Sequence, residues 1–435
     1  MSDVHAQTVA FVAPSQIPPS PPPARERGAL KWLRANLFSS VANGILTVLA
    51  ILVIVWSLPA LIQWAFIDAV WSADSLSQCR EIAASRGVEG AFACWAVINE
   101  RFNQFIFGFY PEELYWRPIL TFVLLFAAAA PVLFSALPRQ ALIVTALFPF
   151  AAYWLLWGGP VLPVLLAIVG PAVGYAAFRG VEKAMHGDAG AAGMVVGALV
   201  TIVWWSIVPG MVDAGPGLEP VESARMGGFM LALIIGITGI AASLPFGILL
   251  ALGRKSDLIF IKTLSVIFIE FIRGVPLITL LFVASSVLNY FFPPGTALDL
   301  ILRVVIMATL FASAYMAEVI RGGLAALPSG QYEAADSLGL DYWKSMRLII
   351  LPQALKISIP GIVNTFIGLF KDTTLVSVIG LLDPVGIINP IRADSNWNGI
   401  VWEFYVFVGL FFWVFCFGMS RYSMYLERKL QTENR

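Results

Sequence analysis

Glu333-Ala334-Ala335-Asp336-Ser337-Leu338-Gly339 is a polar, amphipathic segment that lies between two long apolar runs. Ser329 is the candidate N-cap of its helix, and Glu333 lies near the positive end of the helix dipole. Gly339 favours a left-handed helix terminus, so the helix is predicted to end near Leu338. Membrane spans need little chain between them, so a capped helix here predicts a docking surface.

A second short helix is predicted to follow the bend at Gly339. Asp341 can cap this helix, and Trp343, Met346 and Ile350 share one of its faces. Pro352 is predicted to mark its end. The segment is therefore expected to be two short helices joined by a tight turn.

The surface of the first helix favours a protein partner. Ala334 and Ala335 offer small side chains that a partner can approach closely, and Leu338 adds an apolar contact. Glu333 and Asp336 form a rim of charge. The alternative is an amphipathic helix lying on the bilayer, but such helices usually carry Lys and Arg on the polar face. This helix is acidic, which favours docking to protein.

The composition indicates a membrane protein. Hydrophobic residues make up 59% of the 435 residues and charged residues 12%, against roughly 45–50% and 25% in soluble proteins. The mean hydropathy is +0.83. About ten spans of roughly 20 residues fit into this length, which predicts an all-α polytopic fold. The net charge of zero argues against a nucleic-acid partner. Three cysteines and two histidines are too few and too scattered for a metal site.

Apolar runs predict where the spans lie. Residues 138–140 and 158–160 are tight Pro/Gly turns that indicate helical hairpins, and Gly193 with Gly197 favours close helix packing. A different count over residues 140–178 gives an eight-span alternative. The ten predicted spans lie near residues 41–66, 118–137, 140–157, 160–178, 194–212, 228–252, 274–292, 301–322, 355–378 and 401–424.

Charge predicts the orientation, because Lys and Arg accumulate in short cytoplasmic loops. With ten spans and a cytoplasmic N-terminus, the inside loops and the tail hold most of the basic residues, while the short outside loops hold only Arg225 and Arg392. Both termini are therefore predicted to be cytoplasmic. The inside residues include Arg139, Arg179, Lys183, Arg254, Lys255, Lys344, Arg347, Arg421, Arg428 and Lys429.

The chain divides into four predicted parts. Residues 1–40 are Pro-rich and then basic, which predicts a disordered cytoplasmic N-terminus. Residues 41–226 form a transmembrane extension, 227–428 a transmembrane core, and 429–435 a cytoplasmic tail.

The extension contains an outside loop at residues 67–117. Cys79 and Cys94 lie in this loop, in an oxidising compartment, so a disulfide is predicted. Two unpaired thiols are the alternative.

Ionisable residues within spans are costly and often functional. Glu270 with Arg273 and Glu318 with Arg321 stand three residues apart on helices, so each pair can satisfy itself as a structural ion pair. Glu318 is also a candidate for the translocation path.

A second polar group interrupts the ninth apolar run at Lys371, Asp372 and Thr373. Irregular backbone at membrane depth is tolerated only against protein or a water-filled path. These residues offer both charges to an amino-acid zwitterion, and Asn364 and Thr365 can line the same path. A helix-end ion pair is the alternative.

The segment that opens with Glu333 resembles the EAA signature of bacterial ABC importer permeases. The match comprises Glu333, Ala334, Ala335 and Gly339, followed by Ile349, Leu351 and Pro352. Residues 270–277, 317–323 and 371–376 resemble the polar amino-acid branch over a core of about 227–428. The N-terminal half, with residues 109–113, resembles the larger permease of general L-amino acid systems.

This resemblance implies a five-helix type I importer core in which residues 329–352 form the coupling segment. Glu333, Ala334, Ala335, Asp336, Leu338 and Gly339 would contact a separate ATPase. The chain has no Gly-x-x-x-x-Gly-Lys-Ser/Thr phosphate loop. It is therefore expected to be a transport subunit and not an enzyme, with ATP and Mg²⁺ bound by the ATPase and no cofactor of its own.

The expected partners are a second permease, an ABC ATPase dimer and a periplasmic amino-acid-binding protein, and the expected location is the bacterial inner membrane. An ion-coupled secondary amino-acid transporter is the alternative, but it would need paired repeats with broken helices. A membrane-embedded enzyme would need a His/Asp/Glu constellation in the spans. The sequence shows neither pattern.

Overall fold

The long apolar runs fold into helices, because in a bilayer a helix satisfies its backbone hydrogen bonds within one segment. The computed structural model describes residues 28–134, 136–185, 190–212, 215–291 and 298–432. Its two short strands, β1 (Gly159–Pro160) and β2 (Gly217–Leu218), pair antiparallel. Its α-helices are α1 (Gly28–Asn36), α2 (Val41–Ile62), α3 (Leu76–Ser85), α4 (Ala96–Glu100), α5 (Phe102–Phe107), α6 (Trp116–Leu133), α7 (Leu142–Trp157), α8 (Val161–Ala184), α9 (Gly190–Ile207), α10 (Gly228–Lys255), α11 (Ile259–Gly274), α12 (Leu277–Phe282), α13 (Leu300–Ala325), α14 (Ser329–Ser337), α15 (Tyr342–Ser345), α16 (Leu351–Asp372), α17 (Ile388–Ala393) and α18 (Trp402–Thr432).

Within the described residues, nine helices are long and apolar enough to cross a membrane, and the bent pair α11–α12 supplies a tenth. The prediction of an all-α membrane protein with about ten spans is confirmed. α7 and α8 are separate helices of sufficient length, which favours ten spans over eight. The nine are Val41–Ile67, Glu112–Leu133, Arg139–Trp157, Val161–Ala184, Ala192–Met211, Gly228–Lys255, Leu300–Ala325, Tyr342–Ile379 and Trp402–Leu430.

The seventh span differs most from its prediction. The sequence predicts a span over 274–292, whereas the structure has α11 and α12 joined at a bend of 102°. Val275 is extended, and Pro276 has no backbone N–H to continue the hydrogen bonds of α11. The chain therefore turns sharply between Gly274 and Leu277. The hydropathy of the sequence does not identify α11 as part of a span, because Lys262 and Glu270 interrupt its apolar residues.

Small residues bring α8 and α9 together. A Cβ atom built at Gly174 would lie 2.5 Å from the carbonyl oxygen of Gly197 and 1.9 Å from Oγ1 of Thr201. Only glycine permits this separation of the two backbones. The close packing predicted for Gly197 is confirmed.

The described chain forms two compact units, residues 28–70 with 82–93 and residues 71–81 with 94–432. The first unit contains α1, which lies in the stretch predicted to be disordered over 1–40. Residues 1–27 lie outside the described structure, but Gly28–Asn36 is helical. The reason is local composition: no proline lies between Pro23 and Pro59, and Ala29, Lys31 and Leu33 are good helix formers.

In the second unit, residues 71–81 and 94–110 form a cap. Its two cysteines, Cys79 and Cys94, are joined by a disulfide with Cα atoms 6.1 Å apart. Both side chains are buried. A disulfide of this span constrains the unfolded chain more than the folded one, so it stabilises the cap.

The cap is bonded to the chain before and within α18. The backbone N–H of Cys94 donates to Oε1 of the buried Glu403 at 2.9 Å. Arg101 forms an ion pair with Asp394. The ring of Phe105, which is fully buried, lies 5.8 Å from that of Phe404.

The 28 residues of α10 set the distance between the two ends of the core. At about 1.5 Å per residue the helix is about 42 Å long. A Cβ atom on its first residue, Gly228, would meet the carbonyl of Phe105 in the cap. Its last residue, Lys255, lies over the ring of Tyr332 in the coupling segment. The cap and the coupling segment are therefore at opposite ends, which we call the cap end and the coupling end.

Candidate functional site

The first helix of the coupling segment, α14, begins one residue away from its predicted start. Pro328 is the N-cap, and Ser329 is the first helical residue with no side-chain capping bond. The extended backbone of Pro328 already turns the chain, so Ser329 enters the helix. The helix ends as predicted: Gly339 has φ +66°, and its N–H donates to the carbonyl of Asp336 at 2.9 Å.

The second helix, α15, starts as predicted and ends differently. The Asp341 carboxylate accepts from the backbone N–H of Lys344 at 2.9 Å and from its Nζ at 2.7 Å. The hydrogen bond from the Lys344 side chain lowers the pKa of Asp341. The helical segment does not end near Pro352, because a π-helical turn at Met346–Ile350 leads directly into α16. Pro352 stands in the first turn of α16, where a missing N–H costs little.

The exposed face of α14 is smaller than the sequence indicates. Glu333, Ala334 and Asp336 are exposed, and Leu338 is 72% exposed. Ala335, predicted to be on the docking surface, is fully buried. Ala335 faces the chain's own core. Adjacent residues on a helix point about 100° apart, so when one side of α14 packs against the core, Ala335 points inward and Ala334 does not. The surface available to a partner is therefore Glu333, Ala334, Asp336 and Leu338.

Three spans hold the coupling segment in place. Met346 and Ile350 are buried in a cluster with Met316 and Ile320 of α13. Nζ of Lys255 at the end of α10 lies 5.7 Å from the ring centroid of Tyr332. On α16, the side-chain amide of Gln353 donates to Oε1 of Gln331 at 2.9 Å. The coupling segment is therefore in contact with α10, α13 and α16.

A cluster of charges lies at the coupling end of α10, α11 and α13. Glu318 accepts from Arg321 at 2.5 Å, which is the pairing predicted from spacing. The other predicted pair is wrong, because Glu270 bonds to Arg254 at 2.8 Å and Arg273 lies 3.9 Å from Glu318. Because α11 packs against the end of α10, Arg254 lies closer to the Glu270 carboxylate than Arg273 does, although Arg273 is on the same helix as Glu270. Glu318 thus connects α10, α11 and α13, and its predicted place in the translocation path stays a prediction.

The predicted path residues are only partly brought together. Asp372 and Thr373 line a cavity of about 10 Å³ with Leu277, Leu281 and Val304, about enough for one water. The cavity is therefore too small for an amino acid. In the described structure Lys371 and Asp372 form no ion pair.

Asn364 and Thr365 lie apart from this cavity, about two turns earlier on α16. Asn364 is exposed. The Thr365 hydroxyl donates to the carbonyl of Gly361 at 3.0 Å and satisfies itself within the helix.

Sequence reasoning missed Arg303, near the start of α13. Its side chain is buried, and Nη1 donates to the carbonyls of Ser285 at 2.7 Å and Ala284 at 3.2 Å. These carbonyls belong to the π turn Val283–Val287 that follows α12. An arginine inside an apolar run was the signal. Its role is to hold the bent pair α11–α12 against α13.

In the parts of the chain described, no three His, Cys, Asp or Glu side chains are grouped to hold a metal ion. The polar groups described above form an exposed face on α14, an ion cluster on α10, α11 and α13, and part of the lining of the small cavity at Asp372.

Comparisons with known proteins identify the family of the chain. Residues 243–432 match the family model "Binding-protein-dependent transport system inner membrane component". The chain is 55% identical to BztC, a glutamate/glutamine/aspartate/asparagine transport system permease protein of Rhodobacter capsulatus, over 98% of this chain and 99% of that protein. It is 42% identical to YhdY, an inner membrane amino-acid ABC transporter permease of Escherichia coli K12, over 95% and 96%.

A solved structure, that of an amino acid ABC transporter with histidines, covers 46% of this chain and 91% of its own, at 30% identity and a TM-score of 0.42. Binding-protein-dependent ABC systems include an ATPase and a binding protein, and ATP is hydrolysed outside the permease. From its full-length relatives, the chain belongs to the family of inner-membrane permease subunits of amino-acid ABC importers.

Proposed function

We propose that this chain is one of two permease subunits of an importer of acidic amino acids and their amides, namely glutamate, glutamine, aspartate and asparagine. The substrate class rests on the 55% identity to the transport permease that is named for those four compounds. A path that accepts both acids and amides needs few specific ligands, and selectivity then belongs to the binding protein.

The second subunit is supported by a polar stripe on α16. Lys356, Asn364 and Lys371 are all exposed. At about 100° per residue they lie within about 80° of one another around the helix. Lysine and amide side chains are costly against lipid, so this face is covered by another chain or by water. The stripe is one wall of the path, a second permease is the other wall, and the lysines attract substrate carboxylates.

The coupling role rests on one observation: α14 exposes Glu333, Ala334, Asp336 and Leu338 while its other side is fixed to α10, α13 and α16. ATPase closure would move this segment as a rigid body. Conformational change needs a partner that favours one state over the other, and ATP binding provides that difference.

The orientation follows from the same segment. The ATPase is cytoplasmic, so the coupling end is cytoplasmic, and it carries Arg254, Lys255 and Lys344 in accord with the positive-inside rule. Both termini are then cytoplasmic and the disulfide-bridged cap is periplasmic. In this scheme residues 227–428 are the moving core and 41–226 the extension.

The test is a crosslink with a matched pair of variants. Ala334→Cys is combined with cysteines scanned along the groove of the partner ATPase, and Ala335→Cys is the control because that position is buried. A crosslink from position 334 whose yield changes with ATP, and none from position 335, is the expected result. No crosslink, with uptake persisting after the ATPase is removed, would identify a gradient-driven transporter.

The substrate path is tested separately. Lys356→Gln and Lys371→Gln should lower glutamate uptake more than glutamine uptake, since only glutamate carries the additional carboxylate. Lys183→Gln on α8 is the control. Equal losses of glutamate and glutamine uptake would show that the two lysines do not contact the substrate carboxylate in the path.

A further inference from the structure

An apolar groove of about 360 Å³ lies at the coupling end, between the last turns of α10 and the beginning of α16. Its walls are Leu252 of α10, Trp343 and Met346 of the coupling segment, and Leu351 and Leu355 of α16. None of the exposed residues assigned to ATPase docking, Glu333, Ala334, Asp336 and Leu338, lines this groove. Its apolar lining fits a hydrocarbon chain.

One charged residue lines the groove. Arg347 is exposed, and among the described residues it has no ion-pair partner. Lys344, three residues earlier, is already paired with Asp341 at 2.7 Å. The guanidinium of Arg347 is therefore available to an anion, and its planar donors match a phosphate better than a lysine does.

The groove is at the level of the membrane surface. Leu252 precedes the end of the α10 span at Lys255 by three residues, and Trp343 is the second residue of the span that begins at Tyr342. Tryptophan concentrates at the membrane–water boundary. An occupant can therefore place an apolar part in the bilayer and a charged part in water.

The groove faces away from the proposed path, a step that rests on the proposed function. Around α16, the centre of Leu351 and Leu355 lies roughly 160° from the stripe of Lys356, Asn364 and Lys371. If the stripe faces the second permease, the groove faces lipid. This geometry favours a lipid over a segment of another protein.

We infer that this groove binds one anionic phospholipid, with an acyl chain along the apolar walls and the headgroup phosphate on Arg347. Basic residues beside gaps between spans on the cytoplasmic side are suited to anionic headgroups. The lipid would contact α10, α16 and the coupling segment together, so its presence would stabilise their contact.

The experiment uses the complete transporter in nanodiscs of phosphatidylcholine with a small fraction of phosphatidylglycerol that carries a photoreactive acyl chain. After irradiation, the labelled peptides are identified by mass spectrometry. The expected result is labelling of the peptide that contains Trp343 and Leu355. Arg347→Gln should lower it about fivefold, the value of one headgroup charge contact. Leu355→Trp, which fills the groove, should lower it without removing the arginine.

Lys183→Gln on α8 is the matched control, and its labelling should equal that of the parent. Equal labelling by a photoreactive phosphatidylcholine would show bulk lipid only and overturn the proposal. No labelling of this peptide by either lipid would show that protein covers the groove, with the same consequence. Neither result affects the crosslink expected at position 334, so the coupling role is tested independently of the lipid site.

Discussion

The coupling segment and the cap lie at opposite ends of α10, and they place their side chains in opposite ways. The coupling segment keeps Glu333, Asp336 and Leu338 at its surface. The cap turns its disulfide inward and bonds to the chain through Glu403 and Asp394. One region leaves these side chains exposed, and the other is bonded to its own chain.

The two regions also differ in the interactions that hold them in place. The coupling segment is held by packing of Met346 and Ile350 and by one conformation of Gly339. The cap is held by a covalent bond, an ion pair and aromatic packing. We therefore expect changes at the coupling end to alter transport, and changes at the cap end to alter stability.

The largest effect is expected from Gly339→Val. At φ +66° a β-branched side chain is strained, and a strain of roughly 1–3 kcal/mol on the bend would reorient α14. Uptake should fall about tenfold or more, while the amount inserted in the membrane is unchanged. Uptake of radiolabelled amino acid and quantitative immunoblots of membranes measure the two.

Gly330→Ala is the control for that variant, because a Cβ atom at Gly330 meets nothing within 4 Å and its φ is not in the left-handed region. Its uptake should equal that of the parent. Normal uptake by Gly339→Val would show that the bend does not transmit force.

The next effect is expected from removing the disulfide with Cys79→Ser and Cys94→Ser together. Closure of a loop of this length is worth about 3 kcal/mol. The melting temperature of the purified protein should fall by several degrees and become insensitive to reductant. Cys416→Ser, outside the cap, should leave it unchanged. Three reactive thiols in the denatured parent, in place of one, would contradict the bridge.

A pH effect is expected at the cap end from Asp383, whose fully buried carboxylate accepts from the N–H groups of Val385 and Gly386. Burial raises the pKa of Asp383 to about 6, against about 3.9 in an unfolded chain. Between these values the folded state holds more protons, so stability falls as pH rises from about 4 to about 6. The total change is about 2 to 3 kcal/mol. Melting curves at pH 4.5 and 6.5 should show this slope.

Asp383→Asn should remove that slope, because the amide does not titrate. Asp341→Asn at the coupling end should leave it in place, since Lys344 lowers the pKa of Asp341. If the stability of the Asp383→Asn variant still falls between pH 4.5 and 6.5, another group causes the pH dependence.

The smallest effect is expected from the ion pair of Arg101 and Asp394, whose side chains are about 30% exposed. A double-mutant cycle with Arg101→Gln and Asp394→Asn should give a coupling energy below about 1 kcal/mol. The pair of Lys344 and Asp341 is more exposed and should give less. A larger value at the coupling end would reverse the comparison between the two ends.

Much of the coupling segment was predictable from the sequence. The bend at Gly339 and the cap at Asp341 are signals that act within a few residues, and both predictions agree with the structure. The burial of Ala335 was not predictable, because neighbouring alanines are identical in sequence and differ only in what packs against the helix. The bent pair α11–α12 was missed because hydropathy counts charges and cannot see that Glu270 is paired with Arg254.

The sequence by itself determined the membrane class, the approximate number of spans, the EAA segment and the family that this segment indicates. These depend on composition and on local backbone preferences, which every residue carries with it. Only the tertiary structure decided which residues of the segment face outward, that Glu318 joins α10, α11 and α13, and that Lys356, Asn364 and Lys371 are exposed. The physical reason is that exposure and ion pairing depend on segments far apart in the chain, which come together only on folding.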